Sequence, residues 1–255
     1  MKITVLCEDT SRCDLECEHG LSLYIESECG NILFDAGQSA LFYENAEKCG
    51  IDLSRVDFAV ISHGHYDHGG GLEKFLQINK KAPVYISENA FGDFYNGEKY
   101  IGLKKTLKDN NRLVSVSKNR GVCKGAEIFT SASLEKKRLN SFGLTAEKEG
   151  KKLPDKFDHE IYLELIEGRK KVLFSGCSHA GIENIMRAFS PDIFVGGFHL
   201  IKTEDENELA QVSETLIEYN TDYYTCHCTG EKQYEYLKKN LNSLKYLRTG
   251  DTIVI

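Results

Sequence analysis

Ser62-His63-Gly64-His65-Tyr66-Asp67-His68-Gly69-Gly70-Gly71 governs the reading of the whole chain. Three imidazoles and one carboxylate fall within the six positions from His63 to His68, directly after an apolar run over residues 56–62 that reads as a buried strand. Histidines crowded this closely repel one another when protonated and gain little when merely exposed. Neutral imidazole and carboxylate are ligands that zinc, iron and manganese accept. A turn after the strand aims His63 and His65 to one side and Asp67 and His68 to a neighbouring point. That supplies partial shells for two ions rather than four ligands for one. The glycines let the backbone pass close to such ions without a Cβ in the way. The bland alternative is a polar loop that happens to hold histidines.

Outward from this stretch, strands mix with helices throughout. Residues 1–7 read as a strand, and 21–26 with 31–34 as a hairpin around Glu28-Cys29-Gly30. A helix is expected from Ser39 to Cys49, with Gly50 just past its end. Leu72, Phe75 and Leu76 have helical spacing, and residues 84–87 form a short strand. Residues 91–156 are the least legible, with strand-like runs at 113–116 and 127–130 among charged loops. A second hairpin is expected from 161–166 and 171–175. Ile182, Ile185, Met186 and Phe189 share a helical face that Pro191 stops. Strands at 193–197, 223–226 and 252–255 alternate with helices around Leu209–Tyr219 and over 231–242. Two packed β-sheets with helices outside would satisfy this order.

His63-Gly64-His65-Tyr66-Asp67-His68 matches the HxHxDH signature of the metallo-β-lactamase superfamily, and the sequence is identified by it as resembling that family. The resemblance extends to the strand end Leu33-Phe34-Asp35-Ala36-Gly37, to residues 174–181 (FSGCSHAG), to 196–200 (GGFHL) and to 226–230 (CHCTG). The last three are similar to the branch that includes 7,8-dihydropterin-6-methyl-4-(β-D-ribofuranosyl)aminobenzene-5′-phosphate synthases. The resemblance implies an α/β fold, an αββα sandwich of two mixed β-sheets flanked by helices, with metals in a cleft at the sheet edges. It implies that His63 and His65 bind one ion, that Asp67 and His68 bind a second, and that His227 completes the second site. Cys177 stands at a strand end where many relatives carry a bridging Asp and some a Cys; a small buried residue is the alternative. The third histidine of the first site departs from the usual Pro-Gly-His context. His179 is preferred there over His159.

Other residues follow from position. Asp35 ends an apolar run near the expected cleft and reads as an acceptor that orients a ligand histidine, or else as a plain turn aspartate. His19 and His199 lie in loops beside expected strands, to contact substrate, support a ligand or serve structurally. Thr229-Gly230 and Ala180-Gly181 open helices beside His227 and His179. Free N–H groups there would favour an anionic substrate such as a phosphate, with ordinary capping by Thr229 as the alternative. Phe94, Tyr95 and Tyr100 are candidates for stacking on a planar ring, or for core packing.

Composition bounds the rest. The chain has 255 residues, 41% hydrophobic and 28% charged, a globular balance that one domain over residues 1–255 accommodates. A net charge of −7 and a pI near 5.7 argue against a nucleic-acid partner. No apolar run approaches the roughly 20 residues that span a bilayer, and the N-terminus lacks a signal-peptide core, so a cytoplasmic protein with no membrane partner is expected. The oligomeric state is left open. Nine cysteines, an odd number, are expected as reduced thiols. Cys13–Cys17 and Cys226-His227-Cys228 could serve metal or redox roles, with plain buried or surface thiols the favoured alternative.

The leading expectation is a metal-dependent hydrolase. Two divalent ions, zinc by default with iron and manganese using the same ligands, activate water on a small anionic or phosphorylated substrate, and Asp67 both binds metal and orients the nucleophile. The alternatives are a transferase like the synthases above and a thiol- or metal-based sensor.

Overall fold

The computed structural model describes every residue except Cys13, Arg138 and Asn140. The first half of the chain runs β1 (Lys2–Cys7), β2 (Ser22–Ser27), β3 (Gly30–Phe34), α1 (Leu41–Lys48), β4 (Phe58–Ile61), α2 (Tyr66–Gly69), α3 (Leu72–Ile78), β5 (Val84–Ser87), β6 (Asp93–Asn96), β7 (Lys99–Tyr100) and β8 (Leu113–Val116). The second half runs β9 (Arg120–Cys123), β10 (Ala126–Thr130), β11 (Leu144–Lys148), β12 (Lys151–Pro154), β13 (Ile161–Glu167), β14 (Lys170–Ser175), α4 (Ile182–Phe189), β15 (Ile193–Gly196), α5 (Glu206–Ile217), β16 (Asp222–Thr225), α6 (Glu231–Lys238), β17 (Leu244–Tyr246) and β18 (Thr252–Val254).

Two seven-stranded sheets result, ordered β18-β1-β2-β3-β4-β5-β8 and β17-β16-β15-β14-β13-β10-β9. Their central strands are apolar on both faces because each face is covered. In β4, Phe58 and Val60 enter the core between the sheets, while Ala59 and Ile61 pack outward beside Phe42 of α1 and Phe75 of α3. In β14 and β15, Val172, Phe174 and Val195 face inward and Leu173 and Phe194 meet α4 and α5. This two-residue alternation, buried on both sides, produces the αββα layering.

The parallel pairs β3·β4·β5 and β14·β15·β16·β17 end in loops at which Asp35, His63, Cys177, His199 and His227 lie. A backbone bond ties the two sheets there: the Ile161 N–H donates to the Ser62 carbonyl at 2.7 Å. Loops beyond the carboxyl ends of parallel strands are where α/β folds build sites.

A third sheet, β12-β11-β6-β7, was not expected from the sequence. It pairs Leu144 with Asn96 and Tyr95 with Thr145, across about 50 positions of chain, and its strands are mostly half-exposed. Phe94, Ile101, Leu144 and Phe157 pin it to the body.

The glycines after His68 serve packing rather than ions. A Cβ on Gly71 would lie 2.2 Å from the Ala36 carbonyl oxygen, and one on Gly70 2.2 Å from that of Gln38. Both contacts are to backbone that cannot step aside. Gly71→Ala is therefore expected to cost about 2 kcal/mol or more in chemical denaturation, at the upper end of overpacking costs. An unchanged midpoint would show that the 35–40 loop yields.

Among the described residues no helix is long and apolar enough to cross a membrane. Eight described cysteines are free thiols; the reading of Cys13 lies outside the described residues.

Candidate metal centre

After β4 the chain turns through Ser62–His65 into the single turn of α2, which sets Asp67 and His68 side by side. His63, His65 and His68 are at most 4% exposed and Asp67 8%. His63, His65 and His179 form one cluster, with a ligand atom of each within 4.8 Å of the others. The Nε2 atoms of His63 and His179 stand 3.3 Å apart. Donors on neighbouring corners of a tetrahedron around an ion bound at 2.0–2.1 Å lie about 3.3 Å apart. The buried Nε2 of His65 has no hydrogen-bond partner. Burial, reinforced by the neighbouring imidazoles, lowers His63 and His179 well below the usual imidazole range, and holds His65 down at about 3. These rings are neutral, with lone pairs free for a cation.

Local contacts fix the His63 and His179 rings. His63 Nδ1 bonds Ser62 Oγ at 2.9 Å, and that hydroxyl donates to Asp35 Oδ2 at 2.7 Å. This leaves Nε2 of His63 as the outward atom. His179 follows β14 through Ser178, whose φ is +60°. Its N–H and that of Ala180 donate to Glu160 at 2.8 and 3.0 Å, and its ring stacks on Phe157 at 4.3 Å. Burial pushes the Glu160 carboxyl up, opposed by these amides and by the Tyr162 hydroxyl at 2.6 Å. His159 is placed differently. Its Nδ1 accepts from Gly64 N–H at 3.0 Å, so its Nε2–H donates to Asp155 at 3.0 Å. Both nitrogens are committed, and His159 buttresses the 62–65 turn.

The second cluster holds Asp67, His68 and His227. Asp67 Oδ2 is 3.7 Å from His68 Nε2 and 3.4 Å from His227 Nε2. Asp35 accepts from His68 Nδ1 at 2.6 Å, and Asp9 from His227 Nδ1 at 2.5 Å. Burial alone would depress His227, but the carboxylates of Asp67 and Asp9 hold it well above its usual range. Burial alone would raise Asp67, yet the imidazoles of His68, His227 and His65 keep it ionised. Cys177 Sγ is 3.1 Å from His68 Nε2 and within 4.8 Å of ligand atoms on His63, His179 and His227. Its sulfur therefore stands within reach of both clusters.

Of the remaining expected residues, His19 and His199 line the cleft over these clusters, and Thr229, Phe94, Tyr95 and Tyr100 do not reach it. His19, exposed, bridges Asp9 at 3.0 Å and Asp67 at 3.4 Å. His199 stands 4.1 Å from His179 by ring centroid. Thr229 is fully buried, bonded to Thr225 and accepting from Phe198 N–H, so it neither caps the next helix nor faces a substrate. The amides at 179 and 180, just ahead of α4, are taken by Glu160 and are closed to an anion. Phe94 packs on His159 and Tyr95 meets Tyr100 edge-on, outside the cleft. Cys226 lies in the inter-sheet core, whereas Cys228 faces Cys177. Sequence reasoning missed Asp9, Ser62 and Glu160. The pair Glu8-Asp9 directly after an apolar strand was a usable signal; Glu160 carried none.

The cleft over these clusters has about 150 Å³ of open space, lined by His65, Asp67, His179 and His227 below and by Tyr66, Lys99, Phe142 and Lys202 nearer the surface. Its histidines make the metal-free protein acid-sensitive. His63, His65 and His179 have folded pKa values below the unfolded value near 6.5, so below that pH the unfolded chain takes up protons that the folded chain refuses. Stability falls with pH through the window from 6.5 toward 3, by up to about 1.4 kcal/mol per pH unit for each ring. Urea unfolding of chelated protein at pH 7, 6 and 5 measures it; a flat profile would contradict neutral buried rings.

The metallo-beta-lactamase superfamily model matches residues 15–226. The chain belongs to the metallo-beta-lactamase superfamily. A crystal structure of a metal-dependent hydrolase of the beta-lactamase superfamily superposes with a TM-score of 0.84 at 30% identity, covering 100% of this chain and 99% of that one. An uncharacterized protein of Methanocaldococcus jannaschii is 29% identical over 267 residues, 99% of this chain and 100% of its own. The 7,8-dihydropterin-6-methyl-4-(beta-D-ribofuranosyl)-aminobenzene-5'-phosphate synthase of the same organism is 29% identical over 243 residues, covering 84% of this chain and 82% of its own. The αββα layering is that of this superfamily, whose members are metal-dependent enzymes.

Proposed function

We propose that the protein is a hydrolase with a dinuclear metal site: His63, His65 and His179 hold one divalent ion, Asp67, His68 and His227 the second, and Cys177 lies between them. The observation that supports this best is the position of Cys177 Sγ within ligand reach of both histidine sets. Imidazole, carboxylate and thiolate together favour zinc, with iron next and manganese disfavoured by the sulfur. When bound, such ions supply Lewis-acid polarisation and acidify water.

The chain's own residues do the rest. Asp67 stays ionised and lines the cleft, so it accepts a hydrogen bond from the attacking water and orients it. Asp35 and Asp9 keep the Nδ1 protons of His68 and His227, leaving their Nε2 atoms for metal. Sheet β6·β7·β11·β12 roofs the cleft with Asn96, Lys99 and Leu144 and limits the water that enters.

The test is metal analysis of protein purified without oxygen, followed by assays on phosphodiesters, thioesters and lactones. Two metals per chain and metal-dependent cleavage of one class are expected. A product that forms only with a second organic substrate would replace hydrolysis by group transfer, the reading that the synthase relative favours.

A further inference from the structure

Lys99 and Lys202 stand at the cleft rim without an ion-pair partner. Most lysines nearby are paired: Lys104 with Glu73 at 2.7 Å, Lys105 with Asp93 at 2.9 Å and Lys152 with Glu98 at 2.9 Å. Among the described residues neither Lys99 nor Lys202 forms an ion pair. Lys99 donates only to the Tyr66 hydroxyl at 2.9 Å and lies over that ring at 4.5 Å. Both lysines are exposed and line the same cleft whose floor is the buried histidine cluster. Beside them, Phe142 is half-buried and Ile201 is 45% exposed, an apolar surface at the mouth of a polar site.

The chain carries a net charge of −7, so a dianion approaches only where local charge reverses that field. The His179 and Ala180 amides cannot supply the reversal, because Glu160 holds them. Two ammonium groups can. Two ammonium charges match the nearly double negative charge of a phosphoryl group, whereas a carboxylate carries a single one.

We propose that Lys99 and Lys202 are the anion-binding residues of the cleft, and that its substrate is an organic phosphate whose phosphoryl group lies at these ammonium groups while its apolar part packs on Phe142 and Ile201. The inference rests on the cleft being the reaction site proposed above. It makes the lysines specificity-determining residues that do not touch the metals.

The experiment is titration calorimetry of the metal-loaded protein with phenylphosphonate, which cannot be hydrolysed as an ester, with benzoate, and with benzyl alcohol as the neutral control. Variants are Lys99→Met, Lys202→Met and the pair, each with metal content as the check on folding. Each single change is expected to weaken phenylphosphonate about tenfold and the pair more, the loss of one charge-assisted hydrogen bond at a time. The preference for phenylphosphonate over benzyl alcohol shrinks in step. The proposal is overturned if the double variant binds phenylphosphonate within about twofold of the parent, a change smaller than one such bond. It is equally overturned if benzyl alcohol loses as much affinity, or if benzoate binds the parent as tightly as phenylphosphonate. Binding is read without turnover. A protein that cleaves no ester yet shows these losses would sink the hydrolase reading and leave this one standing.

Discussion

Alanine at His65 or at Asp67 is expected to remove metal-dependent turnover. His65 presents a buried Nε2 with no protein partner, so its removal takes a ligand and leaves no substitute within the cluster. Asp67 contributes a carboxylate oxygen that sits within 3.7 Å of both His68 and His227 nitrogens. Acidifying water from a pKa of about 16 to near 7 is the larger part of what a metal hydrolase supplies, so the rate should fall by about three orders of magnitude or more. Metal analysis separates the variants. His65→Ala should retain the ion of the Asp67 set, and Asp67→Ala that of the His63 set, each near one per chain. Both side chains are buried at a cleft, and urea midpoints of the chelated variants report any folding defect independently. Turnover retained in either variant with a full complement of metal would refute the assignment.

Much of this was legible because the chemistry is local. HGHYDH places four candidate ligands on a single turn, and the strands flanking it are apolar on both faces, as doubly covered strands must be. The ends of β3, β14 and β16 announced Asp35, Cys177 and His227 by motif. What stayed hidden depends on pairing across long chain separations. The β6·β11 ladder joins short, half-exposed strands with no periodic signal. Glu160 acts through two backbone amides nineteen and twenty residues away. His159 looks like a ligand until its two nitrogens are seen bonded to Gly64 and Asp155. Thr229 has the right identity for an N-cap and the wrong surroundings, since Phe198 and Thr225 already use its hydroxyl. Residue type and spacing reveal what a side chain offers; only the fold reveals what has taken up the offer.

Asp35→Asn is expected to weaken the second metal site without unfolding the protein. Asp35 is fully buried with φ +59°, a conformation that asparagine tolerates nearly as well as aspartate. The backbone therefore survives the change, and the effect falls on the carboxylate. One oxygen accepts from the Ser62 N–H at 2.7 Å, and the other from Ser62 Oγ at 2.7 Å and His68 Nδ1 at 2.6 Å. An amide has one acceptor oxygen, so whichever way it turns, an NH2 faces at least one of these donors. If it faces Ser62 and His68, the imidazole must shed its Nδ1 proton or rotate. A proton moved to Nε2 blocks the atom that points at Cys177 and Asp67. The affinity of that ion should fall about 10- to 100-fold, as for other supports of a ligand histidine, while the His63, His65 and His179 set keeps its own. Asp35→Ala should go further, adding about 3 kcal/mol of instability from three buried donors left unpaired and from a left-handed backbone that alanine resists. Competition with a chelator, followed metal by metal, reads the first effect, and urea unfolding the second. Equal loss of both ions in Asp35→Asn would mean that Asp35 supports the whole rim through Ser62 and His63. No loss of either would leave it a turn residue whose bond to His68 carries no consequence for metal.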